Sequence, residues 1–304
     1  MMILKERPFA LNGTAVCIGK FDGLHSGHRL LIDSISRYDK LKKVLFTFSF
    51  GDVPGIYTSA EKRYLAERLG IDIYIECPFD ETLSHMSPEM FVETVLAGEC
   101  GAEVISVGED FRFGHNREGD VALLQKYSKR YGYELNVFPK KRMYGDVVSS
   151  TRIRSELKKG DIQRVNALLG HPYLIYGEVC HGNQIGGRRL HMPTANQIIS
   201  SDKLLPPFGV YASQIRARGQ VYHGVTNLGV KPTIPGENKV GAETHIMEFD
   251  SELYGEAICV ELCAFLRSER KFADMEALMR QMEEDKKKAS IYFQQKNTFT
   301  FDRK

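Results

Sequence analysis

The residues best placed to do chemistry are Gly19-Lys20-Phe21-Asp22-Gly23-Leu24-His25-Ser26-Gly27-His28. They follow an apolar run, Ala15–Ile18, and open a helix-like stretch, Gly27–Tyr38. A helix N-terminus presents unpaired N–H groups and a partial positive charge, so it attracts phosphate. Gly19, Gly23 and Gly27 let the backbone come close to a bound group where a side chain would block it. His25 and His28 can face one phosphate and donate hydrogen bonds to charge developing on an α-phosphorus during in-line displacement. Phosphoryl-type transfer depends chiefly on positioning and electrostatics, so no covalent intermediate is required. A lone histidine is more often a helix cap or a chance metal ligand, but a strand–GxFDGxHxGH–helix unit is far more specific. No GxxxxGK[ST] occurs, which excludes a Walker-type phosphate loop. The pattern reads as an ATP-dependent nucleotidyl-transfer site, with Gly19, Phe21 and Gly27 shaping the nucleotide cradle.

A second segment supports the first. Ser149-Ser150-Thr151-Arg152-Ile153-Arg154 follows the fifth predicted strand and starts a predicted helix. The hydroxyls of Ser150 and Thr151, free N–H groups and the Arg152 guanidinium suit the outgoing β- and γ-phosphates of ATP. Alone this would be a plain Ser/Thr cap. With two histidines upstream it reads as the other half of a nucleotidyltransferase site.

Such side chains must be carried on regular elements, and the first half alternates between two kinds. Apolar, β-rich runs occur at Ala15–Ile18, Val44–Phe48, Ile71–Glu76, Val104–Val107 and Leu135–Phe138. Between them lie helix-like stretches at Gly27–Tyr38, Ala60–Leu69, Ser87–Ala97 and Asp120–Tyr131, with Ser59 and Ser87 at N-cap positions and Pro88 at the first helical position. Short-linked alternation predicts a mostly parallel sheet covered by helices on both faces. Two more helices, Thr151–Lys159 and Asp161–Leu169, stop at Gly170-His171-Pro172, which places a domain boundary at 171/172. Beyond it strands follow one another: Leu174–Cys180, Val210–Ala217, Gln220–Asn227, Glu243–Phe249 and Ala257–Phe265, separated by Gly/Pro clusters. This predicts an antiparallel sandwich or small barrel over 172–304. A long amphipathic helix follows at Asp274–Gln294, with Met275, Leu278, Met279, Met282 and Ile291 near helical spacing.

The composition agrees. A length of 304 residues suits two domains, and 42% hydrophobic with 26% charged residues is an ordinary globular balance. A net charge of +2 offers no electrostatic support for a nucleic-acid partner. No apolar run approaches the roughly 20 residues that span a bilayer. Pro8 and nearby charges interrupt the place of a secretion signal. Six cysteines without a CxxC pair read as thiols of a cytoplasmic protein. A homo-oligomer is compatible with the sequence but not indicated by it.

Taken with the downstream motifs, the chain resembles the bacterial bifunctional riboflavin kinase/FMN adenylyltransferases, or FAD synthetases. The resemblance rests on IGKFDGLHSGH, VGEDFRFGHNREGD (107–120) and SSTRIR (149–154) in the first half. In the second it rests on PTAN (193–196), FGVYA (208–212), TNLGVKPT (226–233), ETHIMEFD (243–250), LYGE (253–256) and FLRSERKF (265–272). It implies a Rossmann-like α/β nucleotidyltransferase domain over 1–171 and a riboflavin-kinase-like, six-stranded antiparallel barrel with a terminal helix over 172–304. It implies that His25 and His28 assist adenylyl transfer from ATP to FMN, that Ser150, Thr151 and Arg152 hold the triphosphate, and that the Asp110–Gly114 loop lies near the flavin.

The kinase half has its own constellation. Thr194 and Asn196 present a hydroxyl and an amide oxygen two residues apart, hard ligands suited to Mg²⁺ on the β- and γ-phosphates of ATP. Glu243, opening its predicted strand, can orient and deprotonate a primary alcohol such as the terminal hydroxyl of riboflavin's ribityl chain. The loop Gly182–Gly187, followed by Arg188, can fold over phosphates or serve as a plain hairpin turn. His223 and His245 alternate with apolar neighbours and read as structural. The chain departs from the family at His191-Met192, before PTAN, and at the short Phe48–Pro54 loop.

Overall fold

The structure, a computed structural model, describes residues 1–49, 54–180, 194–234 and 237–295, without the side chains of 231–234 and 237–238. The chain packs as two compact units: Met1–Val53 with Lys62–Ser149, and Pro54–Glu61 with Ser150–Lys304.

The first unit holds a parallel six-stranded sheet of β1 (Met2–Leu4), β2 (Thr14–Ile18), β3 (Lys42–Ser49), β4 (Ile73–Pro78), β5 (Ala102–Gly108) and β6 (Glu134–Phe138), in the order β1-β4-β3-β2-β5-β6. The expected alternation is present. Every residue of β2 is buried, as a central strand covered on both faces requires. The chain builds outward from β2 through β3 to β4, then crosses to β5 on β2's other side. That reversal places a topological switch point between β2 and β5, where doubly wound sheets bind ligands at the carboxyl ends of their strands. The Gly19–His28 motif leaves from the end of β2 and the 107–120 motif from the end of β5.

The helices of this unit are α1 (Ser26–Ile35), α2 (Ser59–Arg68), which enters it from Lys62 on, α3 (Glu81–Ser84), α4 (Pro88–Met90) and α5 (Val121–Tyr131). Three details differ from expectation. The cap of α2 is Thr58, not Ser59: Thr58 Oγ1 accepts from the Glu61 N–H, and Glu61 answers by accepting from the Thr58 N–H, a reciprocal capping box. Ser87 does cap α4, but the segment read as one helix continues as a π-helix, Phe91–Glu99. The wider turn presents Phe91, Val92, Val95 and Leu96 to the core together. A two-stranded hairpin, β7 (Arg142–Met143) and β8 (Asp146–Val147), separates β6 from the SSTRIR segment, which therefore does not follow the fifth predicted strand directly.

After Pro54–Glu61, the second unit holds α6 (Ser150–Lys159) and α7 (Ile162–Leu169), followed by an antiparallel sheet. Its strands are β9 (Tyr173–Glu178), β10 (Thr194–Ile198), β11 (Gly209–Ala217), β12 (Gln220–Ile234), β13 (Glu237–Ile246) and β14 (Ala257–Arg267), in the order β10-β13-β12-β11-β14-β9. The sheet curls until its outer strands meet: Cys180, just past β9, forms a bridge with Asn196 of β10, its N–H donating to the Asn196 carbonyl at 2.8 Å. This is the expected six-stranded barrel, with β10 the strand that the sequence pattern did not announce.

The terminal helix α8 (Met275–Gln295) packs on β11, β12 and β14, but by another face than expected. Its buried residues are Gln281, Asp285 and Ala289, whereas Met275, Met279 and Ile291 are exposed. The reason is electrostatic and steric. Asp285 meets Arg267 of β14 at 2.8 Å, Gln281 contacts Arg270 and donates to Asp285, and Ala289 fits against Ala212 and Ala264.

A buried ion pair closes the remaining edge of β9. Lys203 and Glu61 lie 2.6 Å apart, 1% and 2% exposed. The Lys203 ammonium also donates to the Leu174 carbonyl and sits over the rings of Tyr57 and Tyr173. Glu61 accepts the Tyr176 N–H. Carbonyl 174 and N–H 176 point to the same side of a strand, so the pair satisfies β9 where no strand among the described residues does. No sequence motif marks either residue.

Candidate active sites

At the first site, β2 ends and the chain turns through Gly19, Lys20 and Phe21. Phe21 (φ 46°) and Leu24 (φ 43°) are non-glycine residues in the left-handed region, flanking Gly23 (φ 88°). Such backbone persists only where the surroundings over-determine it. Here the Phe21 and Leu24 side chains are buried and anchor the turn.

His25 is the N-cap of α1. Its Nδ1 accepts from the His28 N–H at 3.3 Å, which puts the proton of the neutral ring on Nε2. The His25 and His28 rings stack with centroids 3.6 Å apart, and the edge of Phe21 packs on His28 at 5.0 Å. Burial, then the neighbouring imidazole, holds the His28 pKa well below the usual histidine range. Its Nδ1 is shut off from solvent with no hydrogen-bond partner among the described residues. A β-carbon on Gly27 would come within 3.2 Å of the His25 ring, so glycine is the residue that leaves the ring its place. Gly19, Phe21, His25, Gly27 and His28 are thus brought together at one helix N-terminus, a ready anion site.

Across the switch point, Asp110 stands on the loop after β5, ion-paired to Lys140 at 2.8 Å. Beside it Phe111 and Phe113 stack, and Phe113 continues through Phe91 and Phe48 to the exposed Phe79. Phe91 and Phe113 are buried in the core of the first unit, so the run ties the loop to that core. Ser150, Thr151 and Arg152 form the first turn of α6 and pack with the second unit.

At the second site, cross-strand register does the assembly. Asn196 of β10 lies opposite Glu243 of β13, and Thr194 lies opposite His245. The Thr194 hydroxyl donates to Glu243 Oε1 at 3.0 Å, and the Asn196 amide nitrogen donates to the Thr194 carbonyl at 3.3 Å. Thr194, Ala195 and Asn196 therefore open a strand. The Thr194 hydroxyl and Asn196 amide oxygens are hard donors, which fits a hard divalent cation such as Mg²⁺. Gly182, Gly187, Arg188 and His191-Met192 lie outside the described residues, as do residues 50–53 of the short loop. His223 stacks on Phe293 of α8 with centroids 3.9 Å apart, as a structural histidine does. All six cysteines are free.

Comparison with known proteins gives the family. A family model described as FAD synthetase matches residues 8–152, and one described as riboflavin kinase matches residues 169–293. The bifunctional riboflavin kinase/FMN adenylyltransferase of Haemophilus influenzae is 34% identical over 93% of this chain and 95% of its own length. The chain belongs to that family. The bifunctional family member of Escherichia coli K12 is 32% identical over 92% of this chain and 93% of its own. A solved structure described as a macrolide-efflux protein from Streptococcus pneumoniae superposes with a TM-score of 0.80 at 26% identity, covering 95% of this chain and 99% of that one. No helix among the described residues is long and apolar enough to cross a membrane. The bifunctional family's two domain models correspond to the two constellations: the histidine pair falls in the first, and Thr194, Asn196 and Glu243 fall in the second.

Proposed function

We propose that the chain makes FAD in two steps, from riboflavin to FMN and from FMN to FAD, each using ATP. The observation that carries this reading is that two separate constellations assemble, each suited to one step: stacked histidines at a helix N-terminus, and Thr194–Glu243 paired across strands.

In the kinase step, the terminal ribityl hydroxyl of riboflavin attacks the γ-phosphorus of ATP and ADP leaves. Glu243 orients the hydroxyl and accepts its proton. Thr194 and Asn196 would hold Mg²⁺, which neutralises phosphate charge when bound. Gly182, Gly187 and Arg188 keep the phosphate-covering role implied by their motif.

In the adenylyl step, an FMN phosphate oxygen attacks the α-phosphorus and pyrophosphate leaves. His25 and His28, neutral in the free protein, donate N–H groups to the charge that builds on the α-phosphate. A polyanion beside them offsets the cost of protonating either ring. Ser150, Thr151 and Arg152 keep the triphosphate role implied by their motif. The Asp110–Gly114 loop keeps the place near the flavin implied by its motif. The division 1–171 and 172–304 is one of chemistry, and a cytoplasmic location fits free cysteines and intracellular ATP.

The test incubates the protein with riboflavin, ATP and Mg²⁺ and resolves FMN and FAD by chromatography. His28→Ala is expected to abolish FAD formation and spare FMN formation. Glu243→Gln is expected to block riboflavin phosphorylation while FAD still forms from supplied FMN. FMN without FAD from the unaltered chain would defeat the two-step reading.

A further inference from the structure

We propose that Thr47 is a positioning residue for adenylyl transfer, acting through the backbone of the Gly19–Phe21 turn. The inference rests on the adenylyltransferase reading above.

Thr47 lies on β3, wholly buried between Phe46 and Phe48. An interior strand position of this kind is normally filled by valine or isoleucine, because a buried hydroxyl without a partner is costly. The hydroxyl here has a specific partner: Thr47 Oγ1 donates to the Lys20 carbonyl at 3.0 Å. One residue earlier, the Phe46 carbonyl accepts the Gly19 N–H at 3.1 Å. β3 therefore holds the turn after β2 at two successive points, and only one of them uses a side chain.

The carbonyl that Thr47 grips belongs to the Lys20–Phe21 peptide. Its plane sets the φ angle of Phe21, which lies at 46°, a conformation that a bulky residue does not adopt unaided. Phe21 in turn packs its ring edge on His28, and His28 stacks on His25. A chain of contacts thus runs from a hydroxyl in the sheet to the two imidazoles, and Thr47 itself touches neither. Without the hydroxyl the peptide can rotate, Phe21 can relax toward negative φ, and the support beneath His28 shifts. Small misplacements of catalytic groups cost up to about 100-fold in rate.

The experiment compares Thr47→Val, Thr47→Ser and His28→Ala in the full chain, with both reactions measured on each. Riboflavin phosphorylation serves as the internal control. Thr47→Val is expected to lower kcat for FAD formation about 10- to 100-fold, with the KM for ATP within about 2-fold of the parent and phosphorylation unchanged. Thr47→Ser, which keeps the donor, is expected to restore kcat. An unchanged kcat in Thr47→Val, a raised KM at constant kcat, or a parallel fall of both activities with the melting temperature would each overturn the proposal. If His28→Ala still makes FAD normally, it is the adenylyltransferase reading that fails; if His28→Ala is inactive and Thr47→Val is normal, only the role of Thr47 fails.

Discussion

At the residue scale, His28 carries two consequences. Its folded-state pKa is lowered, first by burial and then by His25, so the folded chain binds this proton less readily than the unfolded chain does. The resulting stability is present above the unfolded value of about 6.5 and is lost as pH falls below it. Urea midpoints taken from pH 8 down to pH 5 are expected to drop, and His28→Gln is expected to flatten that dependence. Gly27 sets the second expectation. Alanine there improves helix propensity by up to about 1 kcal/mol, but its β-carbon would press on the His25 ring at 3.2 Å, displacing the cap. Gly27→Ala is expected to leave thermal stability within about 1 kcal/mol, because the lost cap offsets the gain, and to cut FAD formation at least about 10-fold. Unchanged kinetics would show that the His25 ring position does not matter.

The histidines, Thr194, Asn196 and Glu243 were all legible in the sequence, because each sits in a compact motif whose residue types suit only a few chemistries. Thr47 was not. Its hydroxyl reads as ordinary β-propensity until the Lys20 carbonyl, 27 positions away, is seen against it.

At the scale of elements, α8 shows where helical periodicity misleads. The methionines at helical spacing predicted an apolar seam, yet the buried line is Gln281, Asp285 and Ala289. Hydrophobic spacing identifies a helix well, but which face is buried depends on what the partner surface offers, and here it offers Arg267 and Arg270. Asp285→Ala is expected to cost about 2–3 kcal/mol. This is below the roughly 3–5 of a fully enclosed pair, since Arg267 keeps some contact with water. Denaturant unfolding monitored by tyrosine fluorescence checks it. A loss under about 0.5 kcal/mol, the value of a surface pair, would mean that the alanine contacts alone hold the helix. The strand β10 was overlooked for a related reason: Thr194-Ala195-Asn196 carries little local strand preference, and pairing with β13 supplies the extended conformation.

At the scale of the molecule, the chain does not divide its packing as it divides its motifs. Pro54–Glu61 lies between strands of the first unit in sequence but packs with the second, where Glu61 meets Lys203. Burial lowers the Lys203 pKa while Glu61 raises it, and the geometry, with two further carbonyl acceptors and two tyrosine rings, favours the charged pair. Lys203→Met leaves a buried carboxylate without its cation and is expected to cost about 3–5 kcal/mol. Lys203→Met with Glu61→Leu removes both charges and is expected to recover much of that loss. A double variant no more stable than the single one would show that the pair's contacts to β9 matter more than its charge balance.

The sequence alone determined the two-part architecture and the parallel and antiparallel halves, and it nominated the side chains of both candidate sites. Those features depend on local periodicity and on motifs whose members lie within a few residues of one another. Tertiary structure alone decided that β10 closes the barrel, that Asn196 stands opposite Glu243, that Thr47 pins the turn beneath the histidines, and that Lys203 finds Glu61. Each of these depends on a contact between residues far apart in the chain, and which distant groups meet is set by the packing of whole elements rather than by the residues' own preferences.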